Sequence, residues 1–140
     1  MTDYLRFVQS SVGEAYYIEL SINASNGRQT ATVQYYALTD SLVELSERLI
    51  LFPRNVDEVV VFNAYISSES FRMRFSTGTS GNCAIEFHWD NNQPSPEHES
   101  CTFCIRAEPL QINQLARLLR QFARLEHERL DWWVDDGALG

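Results

Sequence analysis

The stretch that decides the fold is Glu58–Ala107, EVVVFNAYISSESFRMRFSTGTSGNCAIEFHWDNNQPSPEHESCTFCIRA. Four segments within it, Glu58–Ile66, Ser70–Ser76, Asn82–Trp89 and Ser100–Ala107, alternate apolar and polar side chains with polar breaks between them. A period of two is the mark of a strand with one buried face. Phe71, Met73 and Phe75 share one face; so do Cys83, Ile85, Phe87 and Trp89, and again Cys101, Phe103, Ile105 and Ala107. Arg72, Arg74, Glu86, His88, Thr102 and Arg106 fall between them. The spacing predicts a four-strand antiparallel meander with a core face and a water face.

Upstream, Tyr4–Gln9 is a short strand candidate, and Ser10-Ser11-Val12-Gly13 breaks it. Tyr16–Asn23 places Tyr16, Ile18, Leu20 and Ile22 on one face, Asn26-Gly27 is a strong hairpin signal, and Arg28–Ala37 returns with Ala31, Val33 and Tyr35. Each tyrosine pair, Tyr16-Tyr17 and Tyr35-Tyr36, would put one ring on the outer face. Ser41 and Glu44 have capping-box spacing, so a helix is expected from Ser41, with Leu42, Leu45, Leu49 and Phe52 on its apolar stripe and Pro53 closing it. Leu110–Trp133 is the longest helical pattern: Ile112, Leu115, Leu118, Leu119, Phe122, Leu125 and Trp133 fall in one sector, and Arg117, Arg120 and Arg124 lie opposite. The expected architecture is α+β. A single antiparallel sheet of about six to seven strands, made of hairpin, helix and four-strand meander, is packed by two helices, the C-terminal one long.

Length makes 1–140 one domain, large enough to fold without staples. With 19 acidic residues against 11 basic ones the net charge is −8, which opposes binding to a phosphate backbone. All 11 basic residues are Arg, so lysine nucleophile and Schiff-base chemistry are excluded. No apolar run approaches a membrane span and no signal-like segment is visible after Met1, so a cytoplasmic protein is expected. Three cysteines suggest free thiols. Cys101-Thr102-Phe103-Cys104 matches C-x-x-C, yet inside a strand its two thiols point to opposite faces, Cys101 to the core and Cys104 to the surface. Neither a metal nor another cofactor is expected.

No catalytic constellation stands out. Gly78-Thr79-Ser80-Gly81 reads as a hairpin loop, and Glu86 and His88, same-face neighbours beside Arg72, Arg74 and Arg106, read as a cross-strand salt network. A non-enzyme is expected. The candidates for recognition are therefore surface features. The loop Asp90–Glu99 is proline-broken and acidic, long enough to be mobile, and offers Asp90, Glu97 and Glu99. The tail offers Asp131, Trp132, Trp133, Asp135 and Asp136: an exposed Trp anchors interfaces, and acids around it would steer a basic partner. The Arg117/Arg120/Arg124 stripe reads either as ordinary helix solvation or as an anion-recognising patch.

The order of hairpin (Tyr16–Ala37), helix (Leu42–Phe52), Val61-Phe62-Asn63 followed by Phe71–Phe75, and Leu115–Leu125 before a tryptophan end resembles the small immunity proteins that neutralise bacterial polymorphic toxins, the WapI type and its neighbours. The resemblance covers nearly the whole chain. It implies a non-catalytic cytoplasmic protein that binds and occludes a cognate toxin domain, a role that an acidic chain would suit if the toxin is basic. A self-associating structural or adaptor domain forming a homodimer, and a small-ligand binder with a pocket between sheet and helix, are the other classes the residues allow.

Overall fold

The computed structural model describes residues 3–12, 17–66, 69–78, 81–133 and 136–140. Within them run β1 (Tyr4–Val12), β2 (Tyr17–Ser25), β3 (Thr30–Leu38), α1 (Thr39–Leu49), β4 (Val60–Ile66), β5 (Glu69–Thr77), β6 (Cys83–Asp90), β7 (Ser100–Ala107), α2 (Pro109–Phe122), β8 (Arg129–Trp133) and β9 (Asp136–Leu139). The fold is α+β. Its strands form two antiparallel sheets rather than one: a five-stranded sheet ordered β3-β2-β1-β8-β9 and a four-stranded sheet ordered β4-β5-β6-β7.

The four-stranded sheet is the expected meander. Phe71, Met73, Phe75, Cys83, Ile85, Phe87, Phe103, Ile105 and Ala107 are all buried. Phe71–Phe87 and Phe87–Phe103 lie at ring separations of 6.2 and 5.2 Å, so the register stacks aromatic rings across three strands. Cys101 is partly buried and Cys104 exposed, as alternation requires.

The five-stranded sheet joins both ends of the chain. Leu5 and Phe7 of β1, with Ile18, Leu20, Ile22 and Ala24 of β2, are buried, and Phe7 meets Phe122 of α2 edge-on at 6.1 Å. The β2–β3 hairpin turns at Asn26-Gly27: Gly27 takes a positive φ of 85°, and Asn26 Oδ1 accepts from the amides of Arg28 and Gln29. Tyr36 stands out at 70% exposure. Gly13, Tyr16, Thr79, Ser80 and Asp135, each part of a sequence expectation, lie outside the described residues, as do the side chains of Tyr17 and Tyr35.

Three expectations need correction. First, α1 begins at Thr39, and Ser41 Oγ donates to the Leu38 carbonyl at 2.7 Å instead of forming a capping box with Glu44. Second, Phe52 is buried but lies beyond the helix, past the end at Leu49. Third, the helix expected over Leu110–Trp133 stops at Phe122, and Arg129–Trp133 is a strand paired with β1. The physical reason is visible in the burial. Ile112, Leu115, Ala116, Leu119 and Phe122 follow the helical period, the chain then reverses with Leu125 at φ 65°, and Leu130 and Trp132 bury with a period of two.

The two helices pack on one another and contribute to one contiguous core with both sheets. A side chain of α2 secures the exit from α1: Asn113 Nδ2 donates to the carbonyls of Leu49 and Phe52, each at 3.0 Å. The Leu49 carbonyl also accepts from the Phe52 amide at 3.1 Å, so it is the Phe52 carbonyl, past the helix end, that depends on this side chain. Replacing Asn113 with Ala should destabilise the fold by about 1–3 kcal/mol, read as a lowered urea midpoint with an unchanged slope.

Candidate partner-binding site

The expected contact residues divide into two groups on different sheets. Asp131, Trp132 and Trp133 are on β8 in the interior of the five-stranded sheet, whereas Asp90, Glu97 and Glu99 belong to the β6–β7 connection of the four-stranded sheet. Asp136 enters as a backbone position of β9, opposite Trp133.

The tryptophan expected as an interface anchor is a core residue. Trp132 is 0% exposed, and its Nε1 donates to the Gln111 carbonyl of α2 at 3.1 Å. Burying an indole requires an acceptor for its N–H, and the helix supplies one. Trp133, one residue on, points to the other face and is partly exposed.

Asp131 lies on the face opposite Trp132, yet it is only 4% exposed. Arg6, directly across on β1, donates to Oδ1, and Arg129, two residues earlier on β8, forms an ion pair with Oδ2 at 2.6 Å. The Arg6 guanidinium also lies 5.4 Å from the Tyr4 ring centroid. Both carboxylate oxygens are thus occupied by arginine. The group knits β1 to β8 and, at 4% exposure, presents almost no surface to a partner's cation.

The β6–β7 loop is tied together by its own hydrogen bonds. Asn91 organises it: its backbone N–H donates to the Glu99 carbonyl, its Nδ2 to the Glu97 carbonyl at 2.9 Å, and its Oδ1 accepts from the amides of Gln93 and Glu99. Asp90 anchors the entrance, accepting from the Asn92 amide at 2.7 Å and from His98 Nε2 at 3.1 Å. These bonds hold the Asp90 carboxyl below the usual carboxylate range, the Asn92 amide being the larger influence and His98 the next. Every residue from Asn92 to Glu99 is exposed, so Glu97 and Glu99 stand on a fixed scaffold in water. Glu69, at the start of β5, sits at the same end of this sheet and accepts from Trp89 Nε1 at 3.2 Å.

Arginines mark two other parts of the surface. Arg117, Arg120 and Arg124 are exposed along α2 with no ion pair among the described residues. On the outer face of the four-stranded sheet, Arg72 Nη2 reaches Glu86 at 3.2 Å and His88 Nδ1 meets Thr102 Oγ1 at 2.7 Å. Burial, helped by the Glu86 charge and opposed by Arg106, pushes the Cys104 thiol above its ordinary value, and burial does the same to Cys83. Among the described residues no group of three or more His, Cys, Asp or Glu could hold a metal, and no helix is long and apolar enough to cross a membrane. What sequence reasoning missed is Asn91: one polar residue in a polar loop carries no periodic signal, although an Asn directly after a strand is a turn former.

Compared with known protein families and with curated proteins, the chain matches none.

Trp132→Ala should cost about 3–5 kcal/mol and act through unfolding, whereas removal of a surface anchor would leave the melting curve in place. A second outcome concerns acid. Because the folded Asp90 carboxyl titrates low, its bonds stabilise the loop above the unfolded value of about 3.9 and are lost as pH falls through the folded value. Carboxyl carbon NMR should place Asp90 below an ordinary aspartate, and His98→Ala should restore only part of the difference.

Proposed function

We propose that the chain is a non-catalytic protein-binding domain of the immunity type, which docks on a basic partner domain and occludes it. The observation that carries this reading is the β6–β7 loop, where the bonds of Asn91 and Asp90 hold Glu97 and Glu99 exposed on fixed backbone. A preordered loop loses little conformational entropy on binding, so more of its contact energy appears as affinity. Glu69 and Asp90 add carboxylates at the same end of the sheet. The net charge of −8 speeds encounter with a cation-rich surface, and the local acids then select its orientation.

This reading moves the contact surface from the tail to the loop. Asp131 and Trp132 are committed to the fold, and Trp133 is the remaining aromatic of the tail that could add to an interface. A cytoplasmic setting fits the three free cysteines. One observation favours a second reading: Tyr36, on edge strand β3, exposes most of its ring, which is the kind of surface through which a second copy could pair.

The test is to read the neighbouring reading frame and, if it encodes a toxin-like domain, to measure by calorimetry the binding of that domain to this chain. One-to-one binding should weaken with added salt, and Glu97→Gln with Glu99→Gln should weaken it roughly tenfold at low salt, mostly through slower association. Absence of binding, together with a dimer in sedimentation that Tyr36→Ser dissolves, would replace this reading with self-association.

A further inference from the structure

The outer face of the four-stranded sheet holds a second feature, independent of the acidic loop. Strand register sets Asn63, Arg72, His88 and Thr102 side by side in one row across β4, β5, β6 and β7. Ser70 precedes Arg72 by two residues and so shares its face. Over Asn63, Ser70, Arg72, His88 and the backbone of Phe71 opens a cleft of about 190 Å³. That is ample against the roughly 15 Å³ that one ordered water needs.

The donors of this cleft are unspent. Arg72 gives Nη2 to Glu86, while its Nε is buried with no hydrogen-bond partner. The Arg72 side chain nevertheless keeps 43% of its surface exposed, so the rest of the guanidinium is open to a ligand. His88 uses Nδ1 on Thr102 and has Nε2 unengaged among the described residues. The Asn63 amide carries no bond there either, and Ser70 Oγ has only a long 3.5 Å contact to Asn92 Oδ1. The charges bearing on the cleft are mainly positive: Arg72, Arg74 and Arg106 against Glu86, with Asp90 beyond Ser70 already held by Asn92 and His98.

We infer that this cleft is a phosphate-binding site, with the Arg72 guanidinium as its central cation and Ser70, Asn63 and His88 around it. A planar carboxylate would want both N–H groups on one edge of the guanidinium, and Glu86 already occupies Nη2 on the edge that Nε shares. Single donors arriving from four different side chains suit a tetrahedral oxyanion instead. The acidity of the chain as a whole does not prevent this, because screening confines distant charges to a Debye length of about 8 Å at physiological salt. Two carboxylates work against the ligand, Glu86 beside Arg72 and Asp90 opposite Ser70, and Glu86 is the one that engages the guanidinium directly.

The experiment is a titration of the full chain with inorganic phosphate and with phenyl phosphate, following the Arg72 Nε–H resonance by NMR, with chloride and acetate as controls. Saturable binding in the millimolar range is expected. Arg72→Gln should weaken it at least tenfold and Ser70→Ala a few-fold, while Glu86→Gln should tighten it a few-fold by freeing the guanidinium edge. The tightening separates a site from a damaged fold, since a variant that merely loosened the sheet would lose affinity. Tighter binding of phenyl phosphate assigns the site to a phosphate monoester, and equal binding assigns it to free phosphate. No saturation, an equal response to chloride, tighter binding of acetate, or indifference to Arg72→Gln would each overturn the inference. None of these outcomes depends on whether the acidic loop binds a protein.

Discussion

The pairing of β8 with β1 is the constraint on which the molecule depends. Leu5 stands opposite Trp132 and Phe7 opposite Leu130, so the two ends of the chain complete the buried face of the five-stranded sheet together. Trp132 then reaches α2 through its N–H, and Phe7 reaches the same helix through Phe122. Without β8 the core beneath α2 would stay open. Contacts of such wide sequence separation are costly to close, so the five-stranded sheet is the part expected to form late, and the meander, whose strands pair with sequence neighbours, the part able to form early.

That asymmetry also sets what could be read from the sequence. The meander was legible because alternation at Phe71–Phe75, Cys83–Trp89 and Cys101–Ala107 fixes both the strand and its buried face, and neighbours in sequence are neighbours in the sheet. The C-terminal strands were not. Leu118, Leu119, Phe122 and Leu125 continue a helical stripe into which Trp133 also falls, while the period of two at Leu130 and Trp132 spans too few residues to compete. Division into two sheets was hidden for a different reason. Alternation says which face of a strand is apolar and nothing about which apolar surface covers it.

The site was half legible. Glu97 and Glu99 were recognisable as exposed acids because a polar, proline-broken loop has no core to enter, while Asp90, the last residue of β6, is partly buried. Asp131 and Trp132 carried the same surface signature, acid beside aromatic, and both proved to be buried. The difference lies at long range. Asp131 is matched by Arg6, separated from it by nearly the whole chain, and no local pattern encodes that match. An acid next to a tryptophan therefore identifies an interface only after the strand partner is known.

The two outer sheet faces make the same distinction in reverse. On the five-stranded sheet Arg6, Asp131 and Arg129 satisfy one another, and both carboxylate oxygens are occupied, so the charges bind strand to strand and leave little for a ligand. On the four-stranded sheet Arg72 is only partly engaged by Glu86, its Nε has no acceptor, and Arg74 and Arg106 have no ion pair among the described residues. Arg72 keeps 43% of its side chain exposed and Arg106 is exposed, so water hydrates these charges, whereas Asp131 at 4% exposure has to be answered within the fold. Unmatched arginines on one face and exposed carboxylates at its end are the features on which the proposed ligand and partner sites rest.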